Sequence, residues 1–121
     1  MKSQLEDVFT RLRAILQQNT GQLIVTADSP THFCIDVPFS PKLKKSIPVA
    51  WVKVCRNYVS FHLMPVYMFP KLRDRMSDHL RARMQGKACF NFKAVDEPTF
   101  QELDKITREG FSMSRNSGFG P

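Results

Sequence analysis

The chain lacks any long apolar run: nowhere do apolar residues approach the roughly 18 in succession that a membrane-spanning helix needs. It has no Cys-x-x-Cys pair, and its cysteines, Cys34, Cys55 and Cys89, are odd in number and widely spaced. That excludes a zinc ribbon and a thioredoxin-type motif and points to reduced thiols in a reducing compartment. Gly-x-Ser-x-Gly, His-Glu-x-x-His, the P-loop and Gly-x-Gly-x-x-Gly are all missing, so no catalytic signature is present. The histidines, His32, His62 and His79, do not stand at metal-ligand spacing. Charge interrupts the apolar residues of the N-terminus, unlike a signal peptide. A cytoplasmic protein with no cofactor, no metal and no membrane partner is expected, and no residue is nominated as catalytic.

What is present is core-forming material. Of 121 residues, 42% are apolar and ten are Phe, enough for one domain with its own core. We expect that domain over residues 1–111, followed by a flexible Ser/Gly/Asn-rich tail over 112–121. Net charge is +7 and uneven: residues 42–93 hold twelve basic residues against Asp74 and Asp78. Such an excess suits either a solvated basic face or a polyanion-binding surface.

Apolar residues at Leu5, Val8, Phe9, Leu12, Ile15 and Leu16 repeat with helical spacing, behind a capping box at Ser3–Glu6. They predict a helix over 3–18, stopped by Gly21. Residues 22–27 and 32–37 read as a β-hairpin around Asp28, Ser29 and Pro30. Pro38, Pro41 and Pro48 bracket a basic loop and argue against a central strand there. Residues 49–55 and 58–64 form a second hairpin around a two-residue Arg56-Asn57 turn. That turn sets Val54 opposite Val59, Lys53 opposite Ser60, Val52 opposite Phe61 and Trp51 opposite His62.

One face of this hairpin is then wholly apolar: Ala50, Val52, Val54, Val59, Phe61 and Leu63. The other carries Trp51, Lys53, Cys55, Tyr58, Ser60 and His62. Residues 65–70 lie over the core edge, with Pro70 opening a short helix. Ser77 caps a helix over 78–85, closed by Gly86. Residues 88–93 read as a fifth strand, and Asp96 caps a last helix with its stripe at Phe100, Leu103, Ile106 and Phe111. The result is an α+β two-layer sandwich: an antiparallel sheet of about five strands packed against N- and C-terminal helices.

The polar hairpin face is the candidate binding site: Trp51, Lys53, Tyr58 and His62, joined by Asn91 and Lys93 if the fifth strand is adjacent. Aromatics interleaved with lysine suit a small ligand, a protein partner or, as a further alternative, nucleic acid. On a different reading, residues 65–76 cover Trp51 and Tyr58 and the patch is a second small core. His62 can be paired with Cys55 or Cys89, but no third group completes a nucleophilic site. Lys71, Arg73, Arg75, Arg81, Arg83 and Lys87 form a second basic cluster, with Arg73 apart from Arg81 and Arg83. Open sheet edges allow a monomer or a homodimer.

Two runs carry a resemblance: Tyr58-Val59-Ser60-Phe61-His62-Leu63-Met64-Pro65-Val66-Tyr67 and Met84-Gln85-Gly86-Lys87-Ala88-Cys89-Phe90-Asn91-Phe92-Lys93. The second has the plan Gly-Lys-x-Cys-aromatic-x-aromatic-Lys. Over residues 20–111 the chain resembles the YdhG-like superfamily of uncharacterised bacterial domains. The resemblance implies a small α+β fold and, through some members, a frataxin-like iron chaperone. Iron wants hard oxygen ligands, and here the acidic residues that would supply them are Glu6, Asp7, Asp96, Glu97, Glu102 and Asp104.

Overall fold

The computed structural model describes residues 4–40 and 45–117. Helix α1 (Gln4–Asn19) buries Val8, Phe9, Leu12, Ile15 and Leu16, the stripe its spacing predicts. Its last carbonyls are satisfied by side chains: Asn19 Nδ2 donates to the Ile15 carbonyl and Thr20 Oγ1 to that of Leu16, each at 2.7 Å. Gly21 then takes φ +52°, which a residue with a Cβ reaches only at a cost. Ser3 of the expected capping box lies outside the described residues.

Five strands follow in an antiparallel meander, in the spatial order of the sequence: β1 (Ile24–Ser29), β2 (His32–Ser40), β3 (Lys45–Val54), β4 (Val59–Leu63) and β5 (Cys89–Phe92). The register of β3 on β4 is the one the two-residue turn dictates, from Ala50 opposite Leu63 to Val54 opposite Val59. The Cys55 amide donates to the Tyr58 carbonyl at 2.8 Å and closes that hairpin. Short helices α2 (Met64–Met68), α3 (Pro70–Asp74) and α4 (Asp78–Arg81) link β4 to β5, and α5 (Glu97–Asn116) ends the domain. Ser77 caps α4 by accepting from the Leu80 amide, and Asp96 caps α5 by accepting from the Thr99 amide.

The apolar sheet face and the helices make the two layers of an α+β sandwich. Ala50, Val52, Val59, Phe61, Leu63 and Phe90 are fully shielded from solvent. Helix α1 lies on β3, β4 and α5, and Phe100 of α5 meets Phe92 edge-on with ring centroids 5.0 Å apart. Val66 and Leu72, from the α2–α3 segment, join the same core. Each large side chain buried this way contributes about 1.5–3 kcal/mol.

Four expectations need correction. Prolines 38 and 48 do not exclude strands: β2 and β3 run through them, and both are interior strands. The pairing is irregular there, with register shifts between Ile35 and Asp36 and between Val37 and Ser40, and at such bulges a missing amide proton is tolerated. Pro41, Lys42, Leu43 and Lys44 lie outside the described residues. The first hairpin turns at residues 30–31 and not at Asp28. The helix expected over 78–85 stops at Arg81, because Met84 is drawn into a bridge with Phe90.

The fourth correction concerns the tail. Helix α5 continues through residues 112–116 and buries Ser114, whose hydroxyl donates to the Gly110 carbonyl at 3.0 Å. Residues 118–121 lie outside the described residues.

Candidate functional site

The second sheet face is built by strand register. Adjacency of β4 and β5 sets Ser60 opposite Asn91 and His62 opposite Cys89. Combined with the other pairings, two rows cross the sheet: Cys34, Trp51, His62 and Cys89, then His32, Lys53, Ser60 and Asn91. Side chains alternate along a strand, so every member of both rows points away from the helices.

Trp51 and His62 stack, with ring centroids 3.7 Å apart and planes within 6° of parallel. On the far side of the imidazole, His62 Nδ1 lies 3.0 Å from Cys89 Sγ. His62 Nε2 is shielded from solvent and has no hydrogen-bond partner among the described residues. A proton added to the ring would thus be poorly solvated, and burial holds the His62 pKa below its ordinary value. Burial pushes the Cys89 thiol up, against a hydrogen bond from Ser60 that favours the thiolate. The pair therefore rests as a neutral thiol beside a neutral imidazole. Tyr58 is raised by its hydrogen bond with Cys55. Cys34 is buried, and its Sγ lies 3.4 Å from Asp36 Oδ1, where desolvation and then the carboxylate disfavour its thiolate.

Of the six residues singled out from the sequence, Trp51, Tyr58, His62 and Asn91 are half-buried, while Lys53 and Lys93 are exposed. None belongs to the core that the helices close. Val66, Leu72 and Met76 of the segment expected to cover this face join the helical core instead, while Trp51 and Tyr58 are themselves half-buried. Five of the six share one patch. Lys93 lies just past the end of β5 and lines a cleft with Arg83, Val95 and Glu97. Sequence reasoning named Cys89 beside Cys55 without choosing between them. The choice needed the β4–β5 register, which no turn residue announces across the 25 intervening residues.

The other candidates disperse. Four of the six acidic residues that an iron site would need are occupied structurally. Glu97 pairs with Arg11, Glu102 receives the Ser77 amide and hydroxyl, Asp104 accepts from Asn19, and Asp96 caps α5. Among the described residues no group of three His, Cys, Asp or Glu side chains converges as a metal site.

The basic stretch is partly committed as well. Arg75 pairs with Glu109 at 3.0 Å. Arg81 Nη2 donates to the Arg73 carbonyl at 3.1 Å, so the turn between α3 and α4 brings together two residues expected to lie apart. Lys87 Nζ sits 5.7 Å from the centroid of the exposed Tyr67 ring. A cleft of about 260 Å³ opens between Thr20, Leu23, Val49, Phe111 and Arg115, away from the aromatic patch. No described helix is long and apolar enough to cross a membrane. Comparison with family models, with curated proteins and with solved structures finds no match to this chain.

Proposed function

We propose that this domain is a non-catalytic binding module that meets a protein partner across the uncovered face of its sheet. One observation carries the reading: Trp51 and His62 form a stacked, half-buried pair on the sheet face opposite the helical core. An aromatic anchor with a polar surround is the usual anatomy of a protein contact. Lys53, Tyr58, Ser60 and Asn91 supply that surround.

The clefts described above lie elsewhere, which favours a broad partner over an enclosed small ligand. One side of the Trp51 indole is already taken by His62, which leaves less ring surface for stacking a nucleobase. The YdhG-like assignment and a cytoplasmic, bacterial setting are part of the same proposal, supported by the two sequence runs and by an α+β fold of the implied kind. The iron reading draws no support from the occupied carboxylates.

The test is recovery of partners from a bacterial lysate by the wild-type domain, by Trp51→Ala and Lys53→Glu, and by Arg108→Glu on the helical layer. The proposal expects a partner lost with both sheet-face variants and kept with Arg108→Glu. Partners indifferent to Trp51 and Lys53, or lost equally with all three variants, contradict it.

A further inference from the structure

The contact between His62 and Cys89 has a chemical consequence independent of any protein partner. Cys89 Sγ lies 3.0 Å from His62 Nδ1, and the neighbouring Ser60 side chain favours its thiolate. It remains partly exposed. The nearest row of neighbours includes Lys53 from β3 and the uncharged Ser60 and Asn91 from β4 and β5. Tyr58, the remaining titratable group of β4 on this face, interacts chiefly with Cys55. A thiol becomes a nucleophile when a neighbour takes its proton and donors receive the developing sulfur charge. His62 Nδ1 is placed to take the Cys89 proton, and Ser60 favours the resulting thiolate against the cost of burial.

We propose that Cys89 is a covalent modification site for small anionic disulfides, with His62 as the base that activates it.

The thiol proton passes to His62 Nδ1. Cys89 sulfur then attacks one sulfur of the disulfide, and the Cys89–S bond forms as the disulfide bond breaks. The departing thiolate recovers the proton from the imidazolium, so one thiol and one disulfide give one mixed disulfide and one free thiol. The negative charge of the reagent is favoured by Lys53, and neither of the two rows holds a carboxylate. Cys34 stands three strands away across the sheet and is buried against Asp36. It is poorly placed to resolve the adduct, so the mixed disulfide persists. Cys55 faces Tyr58 in place of an imidazole and is the internal reference.

The experiment measures the rate at which each cysteine of the intact protein reacts with dithionitrobenzoate, an anionic aromatic disulfide, with sites resolved by peptide mapping. Between about pH 6.5 and 8 an ordinary thiol gains reactivity about tenfold per pH unit as its thiolate fraction grows. A thiol–imidazole pair keeps its proton count and reacts at a nearly constant rate across that window. The proposal expects Cys89 to show the flat profile, to outpace Cys55 at the acid end, and to favour dithionitrobenzoate over the dication cystamine by a larger factor than Cys55 does, since the better aryl leaving group speeds every thiol.

His62→Asn keeps an acceptor near the Nδ1 position but cannot carry the proton at these pH values. It should slow Cys89 at least about tenfold at pH 6.5 while leaving Cys55 unchanged. A Cys89 profile that rises in step with that of Cys55 in the wild-type protein overturns the proposal without recourse to any variant. So does a Cys89 rate that His62→Asn leaves unaltered, and a ratio of the two disulfide rates no larger at Cys89 than at Cys55 removes the preference for negative charge.

Discussion

Strands β3 and β4 carry two faces made from alternate residues of the same stretch of chain, and the two faces differ in kind. Toward the helices stand Ala50, Val52, Val59, Phe61 and Leu63, all fully shielded. Toward solvent stand Trp51, Lys53, Tyr58, Ser60 and His62, half-buried or exposed. The first face is held by area, through nonspecific apolar contact with α1, α2 and α5. The second is held by pairwise geometry: a ring stack, a thiol–imidazole contact and a cross-strand row. The difference teaches that the register which closes the core also assembles the polar cluster, because a slip of one residue would exchange the two faces.

Substitution is the sharpest way to separate the faces. Phe61→Ala removes a fully buried ring that meets Phe90 edge-on, with centroids 6.5 Å apart, and should cost about 3–5 kcal/mol in urea denaturation. Trp51→Ala on the opposite face loses mainly its stack with His62, about 0.5–1.5 kcal/mol. Equal losses would mean that the two faces are both core. An effect between these two is expected from overfilling the helical layer. A Cβ added at Gly110 would stand 2.9 Å from Pro65 Cβ and 3.0 Å from Leu72 Cδ2. Gly110→Ala should therefore lower stability by about 1–3 kcal/mol without altering Cys89 reactivity.

A small effect belongs to the cap of α5. Asp96→Ala should cost about 1 kcal/mol at neutral pH. The Asp96 carboxylate is held below its ordinary pKa, first by its hydrogen bond with the Thr99 side chain, at 2.8 Å, and also by His79 and Arg83. A carboxyl group whose pKa is lower folded than unfolded stabilises the fold above the unfolded value, and that stability is lost as pH falls through the folded one. The urea midpoints of wild type and variant should accordingly converge in acid below about pH 3.8, the ordinary value. A gap that persists undiminished there would contradict this account of the cap.

Much of the fold was legible because local rules and tertiary packing agree. The Arg56-Asn57 turn fixes the β3–β4 register, Gly21 and Gly86 take positive φ, and Ser77 and Asp96 cap helices as their positions imply. Sequence reading failed where tertiary pairing overrode a local signal. The prolines at 38 and 48 sit in strands that bulge around them, and the helix begun at Ser77 ends early because Met84 bridges to Phe90. The tail beyond Phe111 stays helical because Gly110, Phe111 and Ser114 are buried, a small-residue face that an apolar count passes over. At the candidate site, the pairing of Trp51 with His62 followed from a turn. The choice of Cys89 over Cys55 depended on how β5 returns to the sheet after three short helices.

The account rests on the sheet face at Trp51 being uncovered. Trp51 is the chain's one tryptophan, so its fluorescence reports that face without labelling. Acrylamide quenching of the native protein should fall between that of a free indole and that of a core residue, and should rise on urea unfolding. Native emission that acrylamide leaves untouched would show Trp51 enclosed, and would contradict the open face on which the proposed contact surface depends.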